Sequence, residues 1–446
     1  MTTPAIEQVD PATLRKVIVA ASIGNFVEWF DFAVYGFLAT TIAQQFFPSG
    51  DASAALLKTF AVFAVAFAFR PLGGLFFGML GDKIGRKRTL AFTILLMAGA
   101  TTIIGLLPVY AAIGVTAPIL LTIIRCAQGF SAGGEYAGAC AYLMEHAPRG
   151  KRAWYGSFVP VSTFAAFASA AIFAYALEAS LSAEAMSSWG WRVPFLVAAP
   201  LGLVGLYLRW KLDETPAFQA VEEDHAVAHS PLKETLRHHG GSILALGAFI
   251  SLTALSFYMF TTYFTTYLQV AGGLNRATAL LVSLIALLFA AAMCPLAGAF
   301  SDKVGRRVTV ITACILLAVM VYPSFLMASS GSFAGSIIGV LLLATGAVLC
   351  NVVTAALLSE TFPTRTRYTA SAITYNMAYT IFGGTAPLMA TWLIGLTGSN
   401  LAPAFYLIAI ALLGLVGGLA LRETSRVSLD EVDGTLGQRQ AMHPAA

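Results

Sequence analysis

Hydrophobic and polar positions alternate in long blocks along this chain. Apolar stretches long enough to cross a bilayer as helices, about 20 residues each, are separated by short polar segments such as "GDKIGRKR", "HAPRGKR" and "SDKVGRR". The pattern predicts an all-α polytopic membrane protein with twelve transmembrane helices. The predicted spans, numbered 1 to 12, are 17–42, 57–81, 89–110, 115–142, 154–178, 191–210, 241–270, 277–299, 308–328, 334–358, 368–396 and 402–422.

The basic residues predict the orientation of these spans. If both termini lie on the same side of the membrane, 21 of the 26 lysines and arginines fall in segments on that side. Three fall in segments on the opposite side. Basic residues accumulate in cytoplasmic loops, so we expect both termini in the cytoplasm. The N-terminal segment 1–16 is polar and contains acids, which is not typical of a cleaved signal peptide.

Three sequence patterns of the first half return in the second in the same order. "GMLGDKIGRKR" from Gly78 matches "GAFSDKVGRR" from Gly298, Glu-x-x-Pro-x-x-x-Arg occurs twice, and "LRWKLDET" after span 6 corresponds to "LRET" after span 12. Duplication of a six-helix unit predicts two parallel bundles with a binding site between them. The predicted domains are a cytoplasmic segment 1–16, bundles 17–210 and 241–422, a linker 211–240 and a tail 423–446.

The repeated loops carry charges in register, and we expect these charges to form gates between conformers. An aspartate at a helix end pairs with a neighbouring arginine or caps the next helix. Simple anchoring at the membrane edge is the alternative explanation. The predicted gating residues are Asp82, Arg86, Asp302, Arg306, Glu145, Arg152, Glu360 and Arg367.

Five charged residues lie in the interior of predicted spans, away from the span ends, namely Glu28, Asp31, Arg70, Arg125 and Glu135. Each charge at the bilayer centre costs about 2.5–3.5 kcal/mol, so such groups pair or face water and are functional candidates. All six histidines lie outside the spans. A coupling proton therefore has to reside on a carboxylate. We expect Glu28, Asp31 and Glu135 to carry this proton, with Arg125 as a switchable partner. The alternative is that Arg125 only neutralises one acid in a fixed ion pair.

Substrate recognition is predicted around Arg125, which attracts a carboxylate. Aromatic faces suit a quaternary ammonium group, although a membrane tyrosine is more often packed or lipid-facing. If Arg70 faces the cavity, a dicarboxylate is favoured; if it braces a gate, a zwitterion is favoured. The predicted substrate-binding residues are Arg125, Arg70, Asn25, Tyr35, Tyr258, Tyr375, Asn376 and Tyr379.

The loop sequences from Gly78 and Gly298 resemble the signature of the major facilitator superfamily. "GNFVEWFDFAVYGF", "RPLGGLFFGMLGDKIGRKR", "RCAQGFSAGGEYAG", "WGWRVPF" and "SETFPTRTRYTASAITYN" resemble its metabolite:proton symporter branch. The resemblance implies proton-coupled import of a small organic metabolite across the cytoplasmic membrane of a bacterium. "GLYLR" and "ETPAFQ" are similar to proline/betaine transporters, whereas "TIFGGTAP" is more similar to carboxylate transporters for 2-oxoglutarate or citrate.

Other functions fit the sequence less well. Charged residues make up only 11% of the chain and the net charge is +4, so nucleic acid is not an expected partner. The spans contain no histidine and no acidic cluster with metal-ligand spacing, so we expect neither an enzyme nor a cofactor other than the coupling ion H⁺. A drug:proton antiporter and a transport-inactive sensor stay open as alternatives. The expected partners are a small-molecule substrate, the proton and the lipid bilayer, with the protein acting as a monomer.

Overall fold

The computed structural model describes residues 11–84, 86–133, 136, 140, 143–144, 147–148, 150–210, 231–362 and 364–425. Every regular element in these residues is helical. Nine helices are long and apolar enough to cross a membrane, and a tenth span results if one bent pair is counted as a single span. Together with the shorter apolar helix Ala91–Leu106 of span 3 and the described part of span 4, these helices confirm the predicted all-α membrane fold.

The helices follow the predicted spans with local differences. Span 1 extends from Pro11 to Phe37 and continues, after a bend of 62°, as Ala39–Phe46. The remaining helices of the first half are Ala52–Ala68 and Arg70–Ile84 (span 2), Arg86–Leu106 (span 3), Thr116–Ser131 (span 4), Arg152–Gly156 and Phe158–Ser180 (span 5), and Val193–Trp210 (span 6).

The first helix of the second half begins before its predicted span, whereas its apolar part Gly240–Val270 agrees with the predicted 241–270. This helix starts at Pro231, inside the predicted linker, because proline is well suited to the first turn and "LKETLRHH" contains good helix formers. The helices are Pro231–Tyr258, Met259–Tyr263 and Phe264–Val270 (span 7), Arg276–Val304 (span 8), Arg306–Ala328 (span 9), Phe333–Glu360 (span 10), Thr364–Ala378, Tyr379–Gly383 and Ala386–Thr397 (span 11), and Ala402–Ala420 (span 12).

Span 2 is interrupted at Phe69, next to the buried Arg70. Pro71 has no N–H to donate to the carbonyl four residues earlier, that of Phe67. The Thr380 hydroxyl of span 11 donates to this carbonyl instead, at 3.0 Å. The interruption thus creates a hydrogen bond between the two halves, close to the buried charges.

Short π-helical segments, Met259–Tyr263 and Tyr379–Gly383, interrupt spans 7 and 11. Such segments change the direction of neighbouring side chains and occur frequently at functional sites. The apolar pattern of these spans does not predict them. The segment in span 7 directly follows Tyr258, and the segment in span 11 begins at Tyr379. Both tyrosines are predicted substrate-binding residues.

The two halves repeat one packing scheme. Spans 1 and 5, 3 and 6, 2 and 4, 3 and 4, and 1 and 6 pack together in the first half, and the equivalent pairs do so in the second. Between the halves, span 5 packs along span 8, span 2 packs on span 11, and span 1 contacts the π segment of span 7. A binding site between the bundles therefore has spans 1, 2, 5, 7, 8 and 11 around it.

Spans 2 and 4 approach each other at glycines. A Cβ atom on Gly129 would overlap the carbonyl of Ala66, and one on Gly133 would overlap the backbone of Arg70 and Gly74. Small residues allow this close approach of membrane helices. The contact fixes the distance between Arg70 on span 2 and Arg125 on span 4.

Candidate functional site

Four charged side chains predicted from the sequence are buried together. Glu28 and Asp31 on span 1, Arg70 on span 2 and Arg125 on span 4 are each at most 4% exposed. The carboxylate of Glu28 lies 4.0 Å from Nη2 of Arg70. Asp31 interacts electrostatically with both Arg125 and Glu28. With both acids ionised, the formal charge of this group of four is zero.

Arg125 presents one bonded nitrogen and one unbonded edge. Its Nη1 donates to Oε1 of Gln128 at 2.7 Å. Its Nε and Nη2 are buried and make no hydrogen bond to any described residue. These two nitrogens form the edge of the guanidinium that donates two parallel hydrogen bonds to a carboxylate. The guanidinium carbon lies 4.1 Å from the ring centroid of Tyr35 and 5.4 Å from that of Phe63.

Arg70 is bonded through a different nitrogen, and its Nε and Nη1 are likewise buried without a hydrogen bond to any described residue. Its Nη2 donates to the carbonyl of Ala132 at 3.3 Å and also faces Glu28. Its guanidinium lies 5.3 Å from the centroid of Phe67 and 5.7 Å from that of Phe32, and Arg125 lies 5.6 Å from that same Phe32 ring. Both arginines therefore face one buried cluster, as the dicarboxylate alternative requires.

Aromatic rings continue from the arginines into the second half. The ring of Tyr258 lies 5.7 Å from Phe63 and 5.1 Å from Phe67, with edge contacts. Tyr379 lies 6.1 Å from Tyr258 and stacks on Tyr375 at 4.0 Å. The hydroxyls of Tyr258 and Tyr375 are buried without a hydrogen bond among the described residues. The structure thus brings the three predicted tyrosines of spans 7 and 11 to the buried charges.

The other predicted binding residues have structural partners in this conformer. Asn25 donates to Ser162 and Thr163 of span 5, at 2.9 and 2.7 Å, and accepts from Trp29. Tyr35 donates to the carbonyl of Thr59 at 3.0 Å. Asn376 on span 11 donates to the carbonyl of Gly133 at 2.8 Å, which joins the halves, while its Oδ1 stays unbonded within the described residues.

A cavity of about 10 Å³ lies beside Glu28, between spans 1, 3 and 4. Thr93, Met97 and Ser131 contribute to its wall. This volume is close to what a single water molecule needs. Two of the lining residues, Thr93 and Ser131, carry hydroxyl groups.

Predicted gating residues meet at one end of the two bundles, which we call the basic end. Arg306 donates to both oxygens of Glu360 at 3.0 Å and to Asp302 at 2.9 Å. Arg152 of the first half lies 3.8 Å from Glu360. We refer to Asp302, Arg306, Glu360 and Arg152 as the basic-end cluster.

Asp302 is the member of this cluster that holds the halves together most directly. Its two carboxylate oxygens accept hydrogen bonds from the backbone N–H groups of Ala153 and Trp154, at 3.0 and 2.8 Å. These N–H groups belong to the first turn of span 5, whose carbonyl partners would lie before the helix begins. Asp302 therefore caps a helix of the opposite half.

A second contact joins the halves at the opposite end. Arg276, at the start of span 8, lies 3.4 Å from Glu178 near the end of span 5 and donates to the Thr40 hydroxyl at 3.0 Å. Both charged side chains are about one fifth exposed. Contacts between the bundles are thus present at both ends and in the middle of the described structure.

Several predicted residues cannot be placed at atomic detail. Glu135 and Glu145 lie outside the described residues, and the side chains of Asp82, Arg86 and Arg367 lie outside the described side chains. Their predicted roles in coupling and gating therefore stay predictions.

The structure adds residues that the sequence analysis missed. Glu423 accepts from the backbone N–H groups of Arg306 and Arg307, and the Thr424 hydroxyl donates to Glu360. The repeated "LDET" and "LRET" sequences were a signal for this pair. Gln128 stands one turn after Arg125, a spacing at which helix side chains meet.

Comparison with known proteins agrees with this architecture. Residues 21–387 match the family profile described as Major Facilitator Superfamily. The proline/betaine transporter of Salmonella typhimurium strain LT2 is 40% identical over 426 residues, covering 94% of this chain and 85% of that protein. The glycine betaine/proline/ectoine/pipecolic acid transporter OusA of Dickeya dadantii is 39% identical over 430 residues, covering 94% and 86%.

Solved structures show the same fold at lower identity. The proton:xylose symporter XylE, bound to 6-bromo-6-deoxy-D-glucose, superposes with a TM-score of 0.73 at 19% identity and covers 95% of this chain and 99% of its own. The predicted twelve-helix fold and the stated resemblance are confirmed by these matches. The chain belongs to the major facilitator superfamily, and it is a multi-pass membrane transporter and not an enzyme.

Proposed function

We propose that the protein is a proton-coupled symporter that imports a small zwitterion of the proline/betaine type. The observation that carries the proposal is the buried Nε–Nη2 edge of Arg125, which is unbonded among the described residues and lies against aromatic rings. This edge suits a single carboxylate held by two parallel hydrogen bonds. The two relatives at about 40% identity are transporters of proline and betaine, which supports the same substrate class.

The aromatic rings beside Arg125 suit the other end of such a substrate. A quaternary or secondary ammonium is attracted to the faces of tyrosine and phenylalanine rings. Tyr258, Tyr375 and Tyr379 supply such rings within the same buried cluster. Their polar hydroxyls also offer hydrogen bonds to an ammonium that carries N–H groups.

Proton coupling follows from competition for Arg125. An ionised Asp31 attracts the guanidinium, and a substrate carboxylate needs the same guanidinium. A proton on Asp31 removes that competition, so proton binding and substrate binding favour each other. Glu28, beside Arg70 and the water-sized cavity, is the second proposed proton site, and the proton is the only coupling ion in the proposal.

Transport proceeds by alternating access. The basic end is proposed to face the cytoplasm of a bacterium, in agreement with the distribution of basic residues. The basic-end cluster closes this side, and the Arg276–Glu178 pair closes the other side. The two bundles of one chain supply both gates and the buried cluster, which supports a functional monomer.

A dicarboxylate is the second candidate substrate, because Arg70 and Arg125 face the same Phe32 ring. Uptake into proteoliposomes under an inward proton gradient distinguishes the candidates, with glycine betaine and proline compared against 2-oxoglutarate and citrate. We expect accumulation of the zwitterions, and we expect a protonophore or Asp31→Asn to abolish it. Accumulation of 2-oxoglutarate alone would refute the zwitterion proposal, and uptake that ignores the gradient would refute proton coupling.

A further inference from the structure

The small cavity beside Glu28 lies inside the first bundle. Spans 1, 3 and 4 form its walls, which consist of Val27, Glu28, Thr93, Ile94, Met97 and Ser131. Each of these residues is at most 6% exposed. The volume of about 10 Å³ is close to what one water molecule needs, and the walls carry a carboxyl group and two hydroxyls. The cavity is therefore a candidate site for a single buried water.

The cavity lies nearer to the basic end than the guanidinium of Arg125. Gln128 bonds to both Arg125 and the Thr101 hydroxyl, so Thr101 marks the level of Arg125 on span 3. Thr93 stands eight residues before Thr101, which is about 12 Å along the helix. Ser131 stands six residues after Arg125, which is about 9 Å along span 4. Since span 5 starts at the basic end and successive spans are antiparallel, both displacements point towards that end.

Ser131 is oriented so that its oxygen can accept a hydrogen bond from a water. Its hydroxyl donates to the backbone carbonyl of Thr93 at 2.6 Å. The single hydrogen of Ser131 is thereby used, and the lone pairs of its Oγ are left as acceptors. A water in the cavity can donate one hydrogen to this Oγ while it bonds to the carboxyl group of Glu28. A buried water has about two to four polar partners, and Glu28 and Ser131 supply two of them.

We propose that this cavity is a water site through which Glu28 releases its proton towards the basic end. The O–H bond of protonated Glu28 breaks and an O–H bond forms on the water. This water passes one hydrogen, as a proton, to water that enters when the basic end opens. Arg70, 4.0 Å from Glu28, balances the carboxylate that is left.

The proton and the substrate thus leave by separate routes. The proton route runs inside the first bundle, between spans 1, 3 and 4, whereas the substrate leaves between the two bundles. An intramembrane carboxyl group that exchanges a proton needs such contact with water, because apolar side chains carry no proton. The inference deepens the proposed function and rests on its assignment of Glu28 as a proton site.

Other charged and titratable groups face Glu28 from neighbouring elements. Arg70 of span 2 forms its ion pair, and Asp31 of the same helix and Tyr258 of span 7 interact with it electrostatically. The residues of spans 3 and 4 that line the cavity are uncharged. A test of the water site therefore has to leave these charged and titratable groups in place.

Two variants act on the water in different ways. Val27→Ile adds a methyl group to the wall, which occupies the space of the water and keeps every polar group. Ser131→Ala keeps the space and removes the acceptor oxygen. The matched controls are Val62→Ile on span 2, where Val62 is 7% exposed against 6% for Val27, and Ser169→Ala on span 5. Ser169 donates to the carbonyl of Ala165 in its own helix, at 2.8 Å, and neither control residue lines the cavity.

Net uptake and exchange of glycine betaine are compared in proteoliposomes. Net uptake under an inward proton gradient requires release of the proton in every cycle, whereas exchange between equal concentrations on both sides does not. We expect Val27→Ile and Ser131→Ala to slow net uptake about tenfold, the equivalent of one lost hydrogen bond, and to keep the wild-type rate of exchange. Both controls should keep both rates. Wild-type net uptake in either variant, or an equal slowing of exchange, would overturn the proton route.

A second measurement tests the water site without transport. X-ray radiolysis converts bound water into hydroxyl radicals, which oxidise the thioether of an adjacent methionine. Met97 lines the cavity, whereas Met144 is at least as buried and lies elsewhere. We expect wild-type Met97 to be oxidised faster than Met144, and Val27→Ile to lower the rate at Met97 to that of Met144.

The two measurements separate the water site from the proposed function. If the wild-type protein accumulates no test solute, the proposed function fails, and oxidation of Met97 still decides whether the cavity holds water. Equal oxidation rates at Met97 and Met144 in the wild-type protein refute the water site itself, and this outcome does not depend on how any variant folds.

Discussion

Replacing Asp302 with asparagine is expected to open the basic end of the transporter. The two oxygens of Asp302 accept from the N–H groups of Ala153 and Trp154 across the interface of the two halves. Asparagine has the same shape but offers one acceptor oxygen and one donor nitrogen, so it satisfies at most one of the two N–H groups. The pair between Asp302 and Arg306 lies within the second half, and we expect it to persist in both conformers.

The size of the effect follows from these two bonds. A hydrogen bond to a charged group contributes about 1.5–3 kcal/mol, whereas a neutral one contributes about 1 kcal/mol. Loss of one charged bond and weakening of the other therefore destabilises the closed conformer by about 3 kcal/mol. That amount shifts the ratio of open to closed molecules roughly a hundredfold, so a conformer that is about 1% populated becomes comparable to the closed one.

Electron–electron double resonance between spin labels on Lys151 and Arg422 measures this shift. Both side chains are exposed, and they lie at the basic end on opposite halves. The five native cysteines, of which four are buried, are first replaced. In proteoliposomes, we expect about half of the Asp302→Asn molecules to show a longer distance between the two spin labels.

Glu423→Gln is the matched control for this experiment. Glu423 also accepts hydrogen bonds from two backbone N–H groups at the start of a helix, those of Arg306 and Arg307. In this case the helix and the carboxylate belong to the same half of the protein. This variant should lower thermal stability and leave the distance distribution unchanged. A distribution in Asp302→Asn that equals the wild-type one, or an equal shift in Glu423→Gln, would contradict the assigned gating role of Asp302.

Three further predictions address the site, the packing and the effect of pH. Arg125→Lys should raise KM for glycine betaine at least about tenfold in the uptake assay, because an ammonium cannot form two parallel bonds to a carboxylate; an unchanged KM would exclude the proposed edge. Gly129→Ala should lower the free energy of unfolding by more than the about 1–3 kcal/mol of ordinary overpacking, because its Cβ would meet the carbonyl of Ala66. Gly99 has open space around it, so Gly99→Ala should not lower this free energy in the same way. Burial disfavours the ionised form of Glu423, but hydrogen bonds from backbone N–H groups outweigh burial and lower the pKa of this carboxyl. The contribution of Glu423 to folding stability is therefore complete above about pH 4.3, the pKa in the unfolded chain. This contribution is lost as the pH falls through the lower folded-state pKa. The difference in Tm between wild type and Glu423→Gln should accordingly narrow as the pH falls from about 5 towards 3, and a constant difference would contradict this.

The helices and the buried charges could be predicted because they depend on local properties of the sequence. The length of each apolar block determines a span, and a charge inside such a block has few alternatives to a partner or water. Glu28, Asp31, Arg70 and Arg125 were identified in this way, and the structure places them together. The sequence repeats likewise indicated the basic-end cluster, since Asp302 and Arg306 belong to one repeated pattern and Glu360 and Arg152 to copies of another.

The remaining features depend on partners that are distant in the sequence. The carbonyl of Phe67 loses its helical partner because of Pro71, but its new donor, Thr380, lies in the other half of the chain. The π-helical segments of spans 7 and 11 contact spans 1 and 2, which are distant in the sequence. Asn25 was predicted as a ligand contact because an amide lies inside a span. In this conformer its nitrogen donates to span 5 and its oxygen accepts from Trp29 of span 1, so the ligand contact stays a prediction.

Charge balance relates the geometry of the buried cluster to the choice of substrate. Two carboxylates and two arginines are neutral together, so a bound zwitterion adds no net charge and one coupling proton is the only net charge that moves. A dicarboxylate adds two negative charges to the same cluster, and burying them requires a proton on both Glu28 and Asp31. Zwitterion uptake should therefore increase with an inside-negative membrane potential, while dicarboxylate uptake with two protons should be independent of it. Both nitrogens of the Nε–Nη2 edge of Arg125 are unbonded among the described residues, whereas Nη2 of Arg70 already donates to Ala132 and faces Glu28. We therefore expect one substrate carboxylate, one proton and a voltage-dependent cycle.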